Sequence, residues 1–154
     1  MSVFLANEQA MDVDVAELRG LAELVLSEEG YPPSTELTIL LVEDQEMAVY
    51  NQRFLGREGP TDVLAFPVEH LIPGLVPDLD ENDPPLMTGD VVIAPAYVAG
   101  QADRVGASFS DEMALMVTHG ILHVLGYDHE RDDEAALMER RERELLAKTG
   151  RERR

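Results

Sequence analysis

Three of the four histidines lie within residues 118–129, THGILHVLGYDH. His119 and His123 are spaced i,i+4, which on a helix sets both imidazoles on one face with Cβ atoms about 6 Å apart. Gly126 permits a sharp reversal through left-handed backbone, which returns His129 to the same point from another direction. Nitrogens so placed can share one ion at ~2.1 Å from each, and three protein ligands with a fourth position open describe a catalytic zinc site, not a structural one. Without an ion, two imidazoles buried side by side would each need other hydrogen-bond partners. The spacing H-x3-H-x2-G-x2-H is that of an extended zinc-protease motif, yet Gly120 stands where a protease carries its general-base Glu. His70, beside an acidic stretch, reads as a surface residue.

The composition limits what such a site can be attached to. A length of 154 residues with 45% hydrophobic content suits one domain over 1–154 with a proper core. No cysteine is present, so a metal has only imidazole and carboxylate to bind. The first residues lack a basic segment followed by an apolar one, and no apolar run approaches the ~18 residues of a membrane span, so a cytoplasmic protein with no membrane partner is expected. Asp plus Glu number 31 against 12 Lys plus Arg, a net charge of −19. The average field therefore repels nucleic acid, and DNA is not expected as a partner. Every basic residue but Lys148 is Arg.

The elements that must position the histidines follow from periodicity. Residues 2–7 read as a short strand, and Leu18, Leu21, Ala22 and Val25 recur at helical spacing up to the break at Gly30-Tyr31-Pro32-Pro33. Residues 37–42, LTILLV, are apolar throughout, as in a strand covered on both faces. Residues 43–55 read as a helix stopped by Gly56, and 62–68 and 89–94 as strands, with Pro67 marking an edge or strand end. Between them 73–88, PGLVPDLDENDPPLMT, reads as an exposed acidic, proline-rich loop. Residues 95–105 form one helix, and Ser110 is placed to cap the next. From Met113 to Leu125 apolar residues occupy nearly every face, the mark of a buried helix. A charged helix over 132–148 carries Glu139–Arg143 and Arg140–Glu144 pairs at i,i+4, and 149–154 reads as a flexible tail.

The stretch HGILHVLGYDH resembles the signature of the YbeY family of bacterial zinc-dependent endoribonucleases and ribosomal RNA maturation factors. Residues 60–67, PTDVLAFP, resemble that family's TDVLSFP, and 89–93, GDVVI, its GDI-type strand, in the same order and spacing. The resemblance implies an α+β fold, a small mixed sheet of about four strands packed with helices and similar in outline to zinc peptidases (zincin-like). It implies one Zn2+ on His119, His123 and His129. It also implies a single-strand-specific endoribonuclease acting in ribosomal RNA processing, at the 3′ end of small-subunit RNA, and in ribosome quality control. The small ribosomal subunit and its assembly factors are the implied partners. Two departures stand out. The family's Arg six residues before the Thr of TDV is Leu55 here, so Arg53 or Arg57 must substitute, and the usual Ser of LSFP is Ala65.

Phosphodiester chemistry also explains the missing carboxylate. Peptide hydrolysis needs a base for the water and a proton for the amine, whereas RNA cleavage proceeds once phosphate charge is neutralised and a metal-activated water or the neighbouring 2′-OH attacks. On this reading Gly120 removes bulk and charge that would obstruct a polyanion; the alternative is a small residue needed because another element packs closely there. Asp128 adjoins the third ligand as a base, an orienting group or a solvated helix end. Asp62 is either near the metal by analogy or a turn former. Arg57 is the candidate phosphate contact, and Arg104 and Arg131 flank the histidine helix. A zinc hydrolase of another substrate class, such as a peptidase, and a ribosome-associated protein with a structural zinc are the competing readings.

Overall fold

The computed structural model describes residues 2–154, and its elements run β1 (Ser2–Glu8), α1 (Val15–Glu28), β2 (Glu36–Val42), α2 (Asp44–Leu55), β3 (Val63–Pro67), β4 (Met87–Ile93), α3 (Pro95–Val105), α4 (Phe109–Val124) and α5 (Asp132–Ala147). The sheet order is β1-β2-β4-β3. The pairs β1–β2 and β2–β4 are parallel, with Leu5 opposite Ile39 and Ile39 opposite Val91, while β3 runs antiparallel to β4 with Val63 opposite Ile93. This is the α+β arrangement with a four-stranded mixed sheet that the sequence implied. β3 is an edge strand, and Pro67 closes it where a missing N–H costs no ladder bond.

Pleating divides the apolar residues between two layers. Val3, Leu37, Ile39, Leu41, Val91 and Ile93 face α1 and α4, with Met138, Leu145 and Leu146 of α5 completing that core. The opposite face is thinner: Met47 and Tyr50 of α2 cover Leu40, Leu64 and Val92, while Phe4 stays 57% exposed. The uniformly apolar run in β2 predicts burial on both faces, and the structure corrects this at Thr38 and Leu40, which are only half-buried because α2 spans part of that side. The acidic, proline-rich segment before β4 is mostly exposed, although Leu86 is buried and residues 87–88 already belong to the strand. No helix of the described residues is long and apolar enough to cross a membrane.

α4 runs through the middle. Every residue from Glu112 to Val124 is buried except His119 and His123, so the two imidazoles form the helix's window to solvent. Its cap is Ser108, whose Oγ accepts from Asp111 N at 3.1 Å, not Ser110 as expected. Starting earlier lets Phe109 pack on the core. Of the pairs expected on α5, Arg140–Glu144 forms at 3.8 Å, while the other is corrected: Glu139 faces Arg153 at 3.9 Å and not Arg143.

Gly120 has a packing cause. A Cβ there would come within 2.6 Å of Val91 Cγ1 and 3.1 Å of Val63 Cγ2, so α4 touches the sheet at this residue. Of the two readings of Gly120, close packing is the one the structure supports, since its missing side chain makes room for strands β3 and β4. Val91 is fully buried and β-branched, so it has no free rotamer to yield. Overpacking typically costs ~1–3 kcal/mol against a helix-propensity gain of ~1 kcal/mol for Gly to Ala. Gly120→Ala should therefore lower stability by about 1 kcal/mol in urea titration. Gly20→Ala, at an exposed position of α1 with no atom within 4 Å of its Cβ, should raise it by ~0.5–1 kcal/mol.

Candidate metal centre

The end of α4 creates the site. Leu125 caps the helix, Gly126 takes φ +104°, Gly126 N–H donates to His123 O at 3.0 Å and Tyr127 N–H to Leu122 O at 3.0 Å. This pair of bonds is a Schellman closure, which needs a residue tolerant of positive φ. Gly126 is doubly constrained, because a Cβ would overlap the Leu71 carbonyl oxygen in the loop after β3. The turn is tied down beyond it. Tyr127 Oη donates to Glu29 Oε2 at 3.1 Å, and Arg141 Nε donates to Glu29 Oε1 at 2.8 Å. Burial first, and then Glu29, push the Tyr127 phenol up to about 12, so it remains a donor. α1 and α5 thus hold the turn that delivers His129.

The histidines meet as their spacing predicts. Ring centroids are 4.7 Å apart for His119 and His123, 4.8 Å for His123 and His129, and 5.6 Å for His119 and His129. One nitrogen from each lies within 4.8 Å of the other two. Nitrogens at ~2.1 Å from one tetrahedral ion lie about 3.4 Å apart, so each pair has at most about 1.4 Å to close. The donor chemistry fits as well. His119 Nδ1 lies 2.9 Å from Glu142 Oε2, an acceptor that holds the proton on Nδ1 and turns Nε2 outward as a ligand. Burial first, and then the neighbouring His119 and His129, push His123 down to about 4, so it is neutral at physiological pH, as a ligand must be. The three residues suit a divalent metal ion.

Glu142 is the residue that sequence reasoning missed. It is 1% exposed and sits on α5 in register with Met138, Leu145 and Leu146, an acid within an apolar stripe. That misplacement was its only signal in the sequence. Burial alone would push its carboxyl up, but the hydrogen bond and charge of His119, with Arg153 Nε at 3.0 Å, outweigh burial and hold it below the usual range.

The rings open into a cleft of about 810 Å³ that also brings Arg57, Asp62 and Asp128 together. Arg57 follows the left-handed Gly56 and is steadied by its own N–H on Asn51 O at 3.3 Å and by Asn51 Nδ2 on Gly59 O at 2.9 Å. Asp62 Oδ1 accepts from Val63 N at 2.7 Å and Thr61 Oγ1 at 3.2 Å, the bonds of a turn former. Asp128 Oδ1 accepts from His129 N at 2.8 Å, bracing the third ligand through its backbone. Exposed His70 borders the same cleft, as do Arg153 and Arg154. Arg53 is exposed on α2, Arg104 lies 5.9 Å over the Tyr97 ring and Arg131 pairs with Asp133 at 2.7 Å.

The depressed His123 has a stability consequence. An unfolded His takes up a proton near 6.5, while folded His123 resists until about 4. The unfolded state then binds more protons in that window, so metal-free protein should lose stability as pH falls from 6.5 to 4. Melting temperatures of wild type and His123→Gln across this range should show a shallower slope for the variant.

Comparison with known proteins agrees with this geometry. The family model described as Endoribonuclease YbeY matches residues 4–150. A protein named Endoribonuclease YbeY from Acidothermus cellulolyticus is 46% identical over 95% of this chain and 90% of its own length. One of the same name from Thermobifida fusca is 44% identical over 96% and 93%. The solution structure of a Thermotoga maritima protein superposes with a TM-score of 0.62 at 23% identity over 96% of this chain and 91% of that one, showing a shared fold. With the family model spanning nearly the whole sequence and the three histidines gathered on one cleft, the chain belongs to the YbeY family.

Proposed function

We propose that the protein is a zinc-dependent, single-strand-specific endoribonuclease that processes ribosomal RNA, at the 3′ end of the small-subunit RNA. The observation that carries this reading is the open three-imidazole centre in a cleft that also holds Arg57, Arg153 and Arg154. The names of its relatives support the same activity. Ribosome quality control, the small subunit and its assembly factors, and the cytoplasm are the setting that fits such a substrate.

His119, His123 and His129 would hold the Zn2+, which when bound supplies charge neutralisation at phosphate oxygens and activation of a water. Arg57, unlike Arg53, lies in the cleft and takes the place of the basic residue that Leu55 lacks. Its planar fork suits bidentate contact with a phosphate. Asp128, with Oδ1 engaged by His129 N–H, offers Oδ2 as the proton acceptor beside the ligands. Asp62, whose Oδ1 closes its own turn, holds the 60–63 segment against the cleft and offers its second oxygen to the attacking hydroxyl. A peptidase is the weaker reading, because the position after His119 packs on Val91 and has no room for a carboxylate.

Purified protein should carry about one metal ion per chain and cleave a structured ribosomal RNA fragment but not a peptide library, with loss of cleavage on chelation. His129→Ala should lower Zn2+ content severalfold; full occupancy would defeat the three-ligand reading. Cleavage of peptide in preference to RNA would defeat the substrate. Because the surface as a whole repels phosphate, RNA binding should be weak and steeply salt-dependent. Arg57→Ala should cost roughly tenfold or more in binding or cleavage, with Arg19→Ala near wild type. Equal losses would replace a defined groove with general charge attraction.

A further inference from the structure

The segment after α5 folds back over the helices that carry the metal site, and its three arginines each end on carboxylates. Arg151 contacts Glu17 of α1 and Asp111 of α4, the latter at 3.2 Å. Arg154 grips Glu112 of α4 with both Nε and Nη2, the second at 3.2 Å, while Gln101 holds the same carboxylate at 2.9 Å. Arg153, between them, donates from Nε to Glu142 Oε1 at 3.0 Å. Glu142 and Glu112 are each 1% exposed and Arg153 only 21%. A buried carboxylate left without a partner is strongly unfavourable, so these are built contacts, unlike the mobile pairs of an open surface.

Glu142 faces the guanidinium with one oxygen and His119 Nδ1 with the other, at 2.9 Å. We infer that Arg153 is a positioning residue of the metal centre: it locks the Glu142 carboxylate so that its second oxygen fixes the tautomer and orientation of His119. This rests on the reading of His119, His123 and His129 as metal ligands and adds to it a contribution from outside the histidine motif. The physical reason is rotational. A carboxylate held at one oxygen only can turn about its last bond, whereas Glu142, with Arg153 Nε on Oε1 and His119 Nδ1 on Oε2, has both oxygens held. With Oε2 fixed, Nδ1 keeps its hydrogen and Nε2 its lone pair toward the ion. Arg154 anchors the end of the segment on Glu112, while Arg151 binds Glu17 and Asp111, not Glu142.

The test measures Zn2+ affinity by chelator competition and the His119 tautomer by 15N NMR of metal-free protein, neither of which depends on RNA cleavage. Arg153→Ala should weaken Zn2+ roughly tenfold, within the range of groups that orient metal ligands, and turn a single Nδ1–H tautomer at His119 into a mixture. Arg153→Lys, which keeps charge without the fork, should fall between. Arg151→Ala should bind Zn2+ as wild type does, with melting temperatures confirming that all variants fold. In a Glu142→Ala background, Arg153→Ala should add little further loss, because the two act in series. An unchanged affinity and tautomer in Arg153→Ala would overturn the inference while leaving the ligand set intact. Full additivity with Glu142→Ala, or an equal loss in Arg151→Ala, would overturn it too. A wild-type chain that takes up no Zn2+ would overturn the ligand reading itself, and this inference with it.

Discussion

The burial of α4 is the constraint on which the molecule depends. From Glu112 to Val124 the helix is enclosed by α1, α3, α5 and the sheet, and only His119 and His123 are not buried. A helix surrounded in this way cannot rotate or slide without exposing apolar surface or burying an imidazole. The backbone positions of two ligands are therefore set by hydrophobic packing, before any ion arrives. Gly120 allows the closest approach, bringing α4 down on Val91 and Val63, and Gly126 ends the helix against the Leu71 backbone so that the third ligand can return.

Enclosing α4 also buries charge. Glu112 and Glu142 are among the most deeply buried polar residues, and Glu29 is nearly so. Each meets an arginine: Arg154, Arg153 and Arg141 respectively. In a chain of net charge −19, arginines placed on buried acids are unavailable for attraction of RNA, which leaves Arg57 as the cleft arginine not committed to a buried carboxylate. An acidic protein with one local positive charge in its cleft repels nucleic acid generally and admits it there.

The absent carboxylate at position 120 thus has a structural cause first and a chemical consequence second. The sheet lies too close to α4 to accommodate a side chain there. A fold packed in this way cannot supply the general base of a peptidase from that position, which leaves a centre suited to reactions in which charge neutralisation and a poised water suffice.

What the sequence determined by itself was local. The spacing of His119, His123 and His129 around Gly126 encodes a helix face and a turn, both short-range properties of the backbone, and the uniformly apolar run from Met113 to Leu125 marked its helix as buried. The strand and helix positions followed from periodicity within a few residues. Long-range pairing was decided only by the tertiary structure. Glu142 looked like one more charge on a charged helix until α5 packed on α4 and aimed it at His119. Residues 149–154 read as a tail because no periodicity describes a segment held by side chains of α1, α4 and α5. Gly120 stayed open between a chemical deletion and a packing contact because its neighbours, Val91 and Val63, are some thirty and sixty residues away in the chain, a proximity that arises only when α4 packs on the sheet.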